Sequence, residues 1–224
     1  MKERYEGIVS NYNKYTYHIL GCGAIGSAAA SQLVRMGAES LVLYDMDTVG
    51  PENIGVSQYT TYDINKAKVD ALREHLLLIN NDCNITIYKS MFNQENWNPR
   101  KSATEDVVIL GFDSMASRRE AVEIILHSDK PSYIIDGRMG AEHYHHIVLS
   151  NPTLSMYLKH WYSDADGESE PCNAKATSYC SNMSGSFICD TIKKILTKGI
   201  VYKELSFHFP SLTMRRSGGV DLSI

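Results

Sequence analysis

What the chain lacks narrows its possible functions first. It has no Cys-x-x-Cys pair: Cys22, Cys83, Cys172, Cys180 and Cys189 are odd in number and widely spaced, which argues against a zinc ribbon and fits reduced thiols rather than a disulfide framework. It has no long apolar run. Val107-Val108-Ile109-Leu110 is typical of its longest stretches, far short of the roughly 20 residues of a spanning helix, so no membrane insertion is expected. It has no basic surplus either. With 22 Lys+Arg against 26 Asp+Glu, a net charge of −4 argues against general nucleic-acid binding. The opening residues 1–7 carry neither an apolar segment nor a small-residue cleavage site, so a cytoplasmic location is expected. No block repeats at a fixed period.

What is present is a chain of 224 residues with 43% hydrophobic content, enough for one large domain with an appendage. Tyr17 to Leu20 reads as a strand ending at Gly21. A small-residue helix follows from Ala24 to Met36, closed by Gly37, and Leu41 to Tyr44 is a second strand leading into Asp45. The spacing of Val69, Leu72, Leu76 and Ile79 predicts a helix over Asp63 to Asn80 with Asp63 as its N-cap. Ile85 to Tyr88 reads as a strand, and Val107 to Leu110 as one buried on both faces, ending at Gly111-Phe112-Asp113. A helix over Met115 to His127 and a strand over Tyr133 to Asp136 repeat the beat. From His145 the pattern changes: strands His145 to Ser150 and Ser155 to His160, a polar loop over Ser163 to Pro171, a helix from about Thr177 to Leu196, and a strand pair near Val201 to Met214. The expected fold is α/β, a Rossmann-like doubly wound, largely parallel sheet with a mixed or antiparallel C-terminal part.

Gly21-Cys22-Gly23-Ala24-Ile25-Gly26 fits G-x-G-x-x-G after a strand and at a helix start. The first glycine allows the tight turn, the second admits phosphates to the backbone, and the third lets helix and strand pack closely. The helix N-terminus offers free N–H groups to an anion. Asp45 lies at the spacing where an acid takes ribose hydroxyls. Asp47, Asn53, Gln58, Lys66 and Lys68 follow, a richer set than a dehydrogenase needs.

With Gly111-Phe112-Asp113-Ser114, Arg118 and Asp136-Gly137-Arg138-Met139-Gly140, five ordered motifs stand at strand ends or helix starts. In these the chain resembles the ThiF/MoeB-type adenylating enzymes, the superfamily that includes ubiquitin-activating enzymes, over roughly residues 15 to 150. The resemblance implies attack of a C-terminal carboxylate on the α-phosphorus of ATP, releasing pyrophosphate and leaving an acyl adenylate. By that resemblance Asp113 holds Mg²⁺, Lys68 reaches the phosphates, Asn53 positions the phosphate chain, and Asp45 with Asp47 takes the ribose. The glycine loop, Gln58 and Lys66 complete the nucleotide contacts. The implied partner is a small ubiquitin-like or sulfur-carrier protein, or a peptide, with a C-terminal glycine. A related version activates a small molecule or a tRNA. Residues 1–150 would form the adenylation core and 151–224 an extension of the same domain.

Two departures stand out. The family's arginine shortly after the asparagine is missing from Asn53-Ile54-Gly55-Val56-Ser57-Gln58, with Lys66 as the candidate replacement. A second candidate is Arg4: Arg4-Tyr5 resembles an N-terminal pair that reaches the phosphates of a second subunit, which implies a homodimer. The family's paired zinc cysteines are also absent, and Cys172, followed by Lys175 and preceding a helix, is the thiol to test for a thioester or persulfide step. An ordinary buried cysteine is its competing reading. Asp113 is likewise placed to cap the helix after it. The His143, His145 and His146 cluster has no acid or sulfur partner at ligand spacing, and Arg215-Arg216-Ser217-Gly218-Gly219 reads as a turn near a terminal strand. Two other functional classes remain open: an NAD(P)-dependent oxidoreductase on the same loop, and a non-catalytic nucleotide-binding partner of another activating subunit.

Overall fold

In the computed structural model, residues 5, 7–9, 11–97, 99, 105–128, 130–165 and 176–223 are described. Strands β1 (Tyr15–Leu20), β2 (Ser40–Tyr44), β3 (Asn84–Tyr88), β4 (Glu105–Leu110) and β5 (Tyr133–Gly140) pair in parallel. Then β6 (His143–Ser150), β7 (Ile200–His208) and β8 (Thr213–Asp221) continue the same sheet antiparallel. The order is β3-β2-β1-β4-β5-β6-β7-β8. The expected parallel part followed by an antiparallel part is what forms.

Side-chain alternation sorts the strands into two cores. Tyr17, Ile19, Leu41, Leu43, Val107, Ile109 and Ile135 point to one face. There they pack with α1 (Ala24–Arg35), α3 (Lys68–Ile79) and α6 (Ser178–Leu196) through Leu33, Leu72 and Ile188. Leu20, Val42, Tyr44, Val108, Leu110 and Ile134 point the other way, against α4 (Met115–His127) and α5 (Leu154–Leu158) through Val122, Ile125 and Tyr157. All six positions of β1 are buried, including the polar Thr16 and His18 on one parity. His18 in that strand is fully buried and satisfied by Asp106 at 2.9 Å and Tyr44 at 3.3 Å. Small residues let α1 and α6 approach closely: a Cβ on Gly185 would sit 2.8 Å from the Ala28 backbone.

The chain leaves β1 toward β2 on one side and meets β4 on the other, opening a crevice at the carboxyl ends of these strands. Gly21, at φ +89°, makes the turn out of β1. A Cβ on Gly26 would lie 1.9 Å from the Gly21 carbonyl oxygen, so the third glycine is demanded by packing. Gly37, at φ +91°, closes α1 as expected.

Three local expectations are corrected. Helix α3 begins at Lys68, five residues after Asp63. Asp63 ends a 3₁₀ turn (Thr61–Asp63), where its carboxylate accepts the Thr60 N–H and hydroxyl at 2.8 Å and meets His75 and Lys66. Ser155 to His160 is not a strand: Thr153 caps α5 by accepting the Met156 N–H, and hydrogen bonding overrides the β-prone residues there. Arg215 to Gly219 is not a turn but the middle of β8, which runs well past Met214. Register with β7 holds it extended, with Gly218 supplying φ +61°. Among the described residues no helix is long and apolar enough to cross a membrane.

Candidate active site

At the carboxyl ends of β1, β2, β4 and β5 lies a cavity of about 1350 Å³. The glycine loop forms one wall. Gly23 has nothing within 4 Å of where a Cβ would stand, so its backbone is open to a ligand, and Ala24 and Ile25 begin the helix beside it.

Asp45, immediately after β2, accepts the Cys22 N–H at 2.7 Å and the Asp47 N–H at 2.9 Å. Burial raises its carboxyl above the usual range against the opposing pull of Lys68 and the two backbone donors. Asp47 receives the Lys68 ammonium at 2.8 Å. Burial alone would lower the Lys68 pKa, but Asp47 and Asp45 outweigh it and the net direction is upward, so the group stays cationic. Asn53, in the short helix α2 (Pro51–Ile54), accepts the Gly50 N–H at 2.9 Å and lines the cavity.

Across the cavity Asp113 follows β4. It is exposed, lines the cavity, and makes no hydrogen bond or ion pair with a described residue. The cap of α4 is Ser114 instead, whose hydroxyl accepts the Ser117 N–H. A second acid completes that cap from 50 residues away: the Asp164 carboxylate accepts the Met115 N–H at 2.7 Å, the Ala116 N–H at 3.1 Å and the Ser114 hydroxyl at 3.2 Å. The Met115 N–H is the main cause of its lowered pKa. Trp161 donates to the Met115 carbonyl at 2.8 Å, so residues 161–164 are fastened to the helix start.

Beneath the cavity floor Asp136 is fully buried between two arginines. Arg118 bonds Asp136 and the Leu110 and Phe112 carbonyls. Arg138 bonds Asp136 at 2.7 and 3.0 Å and the His160 carbonyl at 2.8 Å. One carboxylate thus ties β5 to the β4–α4 turn and to the segment after α5.

The structure brings Gly21, Gly23, Ala24, Ile25, Asp45, Asp47, Asn53, Lys68 and Asp113 to one cavity, with Gly26 packed behind the loop. It leaves two others outside the lining. Lys66 is held by Glu74 at 2.8 Å and Asp63 at 3.4 Å, and Gln58 bonds Asn182 at 3.1 Å. Arg4 and Cys172 lie outside the described residues. Cys22, Cys83, Cys180 and Cys189 are buried and form no disulfide with a described residue. Asp164, Tyr162, Arg138, His143 and His145 also line the cavity, although sequence reasoning did not place them there. Only Arg138 stood in a motif that pointed to it.

A family model described as the ThiF family matches residues 7–217. A ubiquitin-like modifier-activating enzyme 5 from Oryza sativa subsp. japonica is 38% identical over 85 residues, 37% of this chain and 20% of that protein. A tRNA threonylcarbamoyladenosine dehydratase from Bacillus subtilis is 27% identical over 127 residues, 56% of this chain and 50% of that protein. The matched stretches thus span between a fifth and a half of these relatives. Among solved structures, Escherichia coli MccB with ATP superposes with a TM-score of 0.70 at 12% identity, over 92% of this chain and 65% of that one. PaaA gives 0.70 at 19%, over 92% and 64%.

Proposed function

The chain belongs to the ThiF family, and from that premise we propose that it is an ATP-dependent adenylyltransferase acting on the C-terminal carboxylate of a small ubiquitin-like or sulfur-carrier protein, or of a peptide. The observation that carries this reading is that the Asp113 carboxylate, engaged by no described residue, lines one cavity with the open Gly23 backbone and Lys68. The glycine-loop N–H groups and the start of α1 receive phosphate oxygens, and Asp45, held by two backbone donors, presents its remaining lone pairs to ribose hydroxyls. Lys68 supplies a point charge where the anionic carboxylate approaches the triphosphate.

Asp113 fits magnesium: it is a hard oxygen donor engaged by no described neighbour. No three acidic, histidine or cysteine side chains group to cage a metal among the described residues, so phosphate oxygens would complete the shell. When bound there, the ion neutralises phosphate charge and promotes departure of pyrophosphate. The substrate carboxylate then forms the new P–O bond as the bond to pyrophosphate breaks. Arg4 from a second copy and the homodimer belong to this reading on family resemblance alone, and a later step at Cys172 adds to that resemblance only its sequence context, Lys175 and the helix that follows. Intact-mass analysis for a covalent adduct at Cys172 tests the later step.

Pyrophosphate exchange into ATP with Gly-terminated carriers and peptides is the test. Asp113→Ala is expected to lower the exchange rate about 10²–10³-fold, the range for loss of one preorganised charge-stabilising group, and to weaken magnesium–ATP binding without altering the thermal midpoint. No exchange, AMP release or adenylate with any partner, together with unchanged magnesium–ATP binding in that variant, would remove the reading. The dehydratase relative makes tRNA the competing acceptor, and a tRNA-dependent AMP release without peptide identifies it. A second reading, a nucleotide-binding subunit that needs another activating protein, draws on Lys66: its ammonium is occupied by Glu74 and Asp63, so the missing arginine has no replacement there. ATP binding without turnover until a second protein is added would favour it.

A further inference from the structure

The β6–β7–β8 end of the sheet carries a second concavity, of about 240 Å³, lined by His143, Ser206, His208, Ser211, Thr213 and Arg215. Strand register explains why these residues meet. His208 lies between His143 and Thr213, and Ser206 lies between His145 and Arg215. Residues two apart on a strand share a face, so two adjacent rungs stack imidazole, hydroxyl and guanidinium groups together. The hairpin turn adds Ser211, whose hydroxyl meets His208 Nδ1 at 2.8 Å and donates to Thr213 Oγ1 at 2.9 Å.

No carboxylate lines this concavity. The acid on the next rung of the same face, Glu204, is engaged by His160 at 2.9 Å and Ser217 at 3.2 Å. The Arg215 guanidinium is exposed and forms no ion pair with a described residue. Its planar fork suits a carboxylate bidentately.

The concavity adjoins the nucleotide cavity. His143 lines both, and His145, one rung away, lines the large one. Arg138, His145, Ser206 and Arg215 stand opposite one another in register on β5, β6, β7 and β8. Four strand spacings separate β4, after which Asp113 stands, from β8, about 19 Å, which about six extended residues span.

We propose that this face binds a carboxylate side chain of the acyl substrate, selecting an extended C-terminal segment with an acidic residue about five to seven positions before the reacting carboxylate, on the spacings just given. This rests on the adenylation reading for what the peptide is, while the site itself rests on the register, the carboxylate-free lining and the exposed Arg215 guanidinium. Arg215 and His208 determine specificity rather than chemistry, since neither lines the nucleotide cavity.

The experiment titrates ¹⁵N-labelled protein with Gly-Gly-terminated decapeptides of serine and glycine that carry one glutamate, or one glutamine, at the sixth position from the end. Saturable shifts at Ser206, His208, Thr213 and Arg215 are expected with the glutamate peptide, and about tenfold weaker binding with the glutamine peptide, the scale of one charge-assisted hydrogen-bond pair. Arg215→Gln is expected to abolish the difference and leave ATP affinity unchanged. Equal affinity for the two peptides overturns the proposal, as does a preference that survives Arg215→Gln. Inorganic phosphate producing the same shifts at the same concentrations also overturns it. Because these readouts need no turnover, acid selection without pyrophosphate exchange removes the adenylation reading alone. Exchange indifferent to Arg215→Gln and to the glutamate removes the acidic site alone.

Discussion

The five parallel strands and the three antiparallel ones use their arginines in opposite ways. In the parallel part Arg118 is buried, Arg138 nearly so, and both converge on one fully buried carboxylate, Asp136. In the antiparallel part Arg215 and Arg216 stand on a strand exposed at all nine positions, and Arg216 lies over the Tyr202 ring at 4.8 Å. The first pair serves the fold: its hydrogen bonds fasten the floor of the large cavity. The second pair is left to solvent and to partners. The same side chain is thus structural where a carboxylate meets it out of water and available where none does.

The sharpest way to break this comparison is at Asp136. Asp136→Asn removes the only carboxylate between two largely buried guanidinium groups, and loss of one partner from such a pair costs about 3–5 kcal/mol. A fall of that size in the urea unfolding free energy, read as a lower midpoint at unchanged slope, is the expected outcome. A loss below about 1 kcal/mol, the value of an exposed pair, would show that the floor is as solvated as β8 and erase the distinction.

The next test asks whether the antiparallel part has a buried interior of its own. His146 on β6 is 1% exposed and meets Tyr144 at 3.2 Å and Thr191 at 3.4 Å. Burial first, then the neighbouring His145 and Lys194 and against a weaker pull from Asp136, depresses its pKa to about 3. The folded protein therefore keeps this imidazole neutral while the unfolded chain takes up a proton below about pH 6.5. Stability from this group is full above pH 6.5 and falls as the pH drops toward 3, by about 2 kcal/mol at pH 5. His146→Gln should remove that part of the loss when urea midpoints at pH 7 and pH 5 are compared. An identical acid loss in the variant would mean that the imidazole protonates in place.

The parallel part was the more legible in sequence because the apolar runs of β1, β2, β4 and β5 end at glycine or aspartate, and these ends mark the cavity. Gly21, Gly26, Asp45 and Asp113 follow from local grammar: a turn, a close approach and polar residues beyond a strand. What stayed hidden depends on distant partners. Nothing around Asp164 announces that it completes the cap of a helix 50 residues away, and nothing around Asp63 says that its carboxylate is consumed by Thr60, His75 and Lys66. Lys66 reads as a phosphate ligand by spacing and proves to be engaged elsewhere for the same reason. Arg215 to Gly219 looks like a turn because glycine pairs favour turns, and pairing with β7 overrides that local preference.

The smallest expected effect lies at the far edge of the sheet. Met214 is 51% exposed on β8, whereas Ile109 on β4 is fully buried. Met214→Ser removes little apolar surface from contact and should change the unfolding free energy by no more than about 0.5 kcal/mol. Ile109→Val, a single methylene, should cost about 0.5–1.5 kcal/mol because the cavity it leaves cannot refill. Thermal or urea unfolding of the two variants in parallel provides the measurement. A larger loss at Met214 than at Ile109 would mean that β8 is covered in solution, and its dependence on protein concentration would tell a second copy from a contact within the chain.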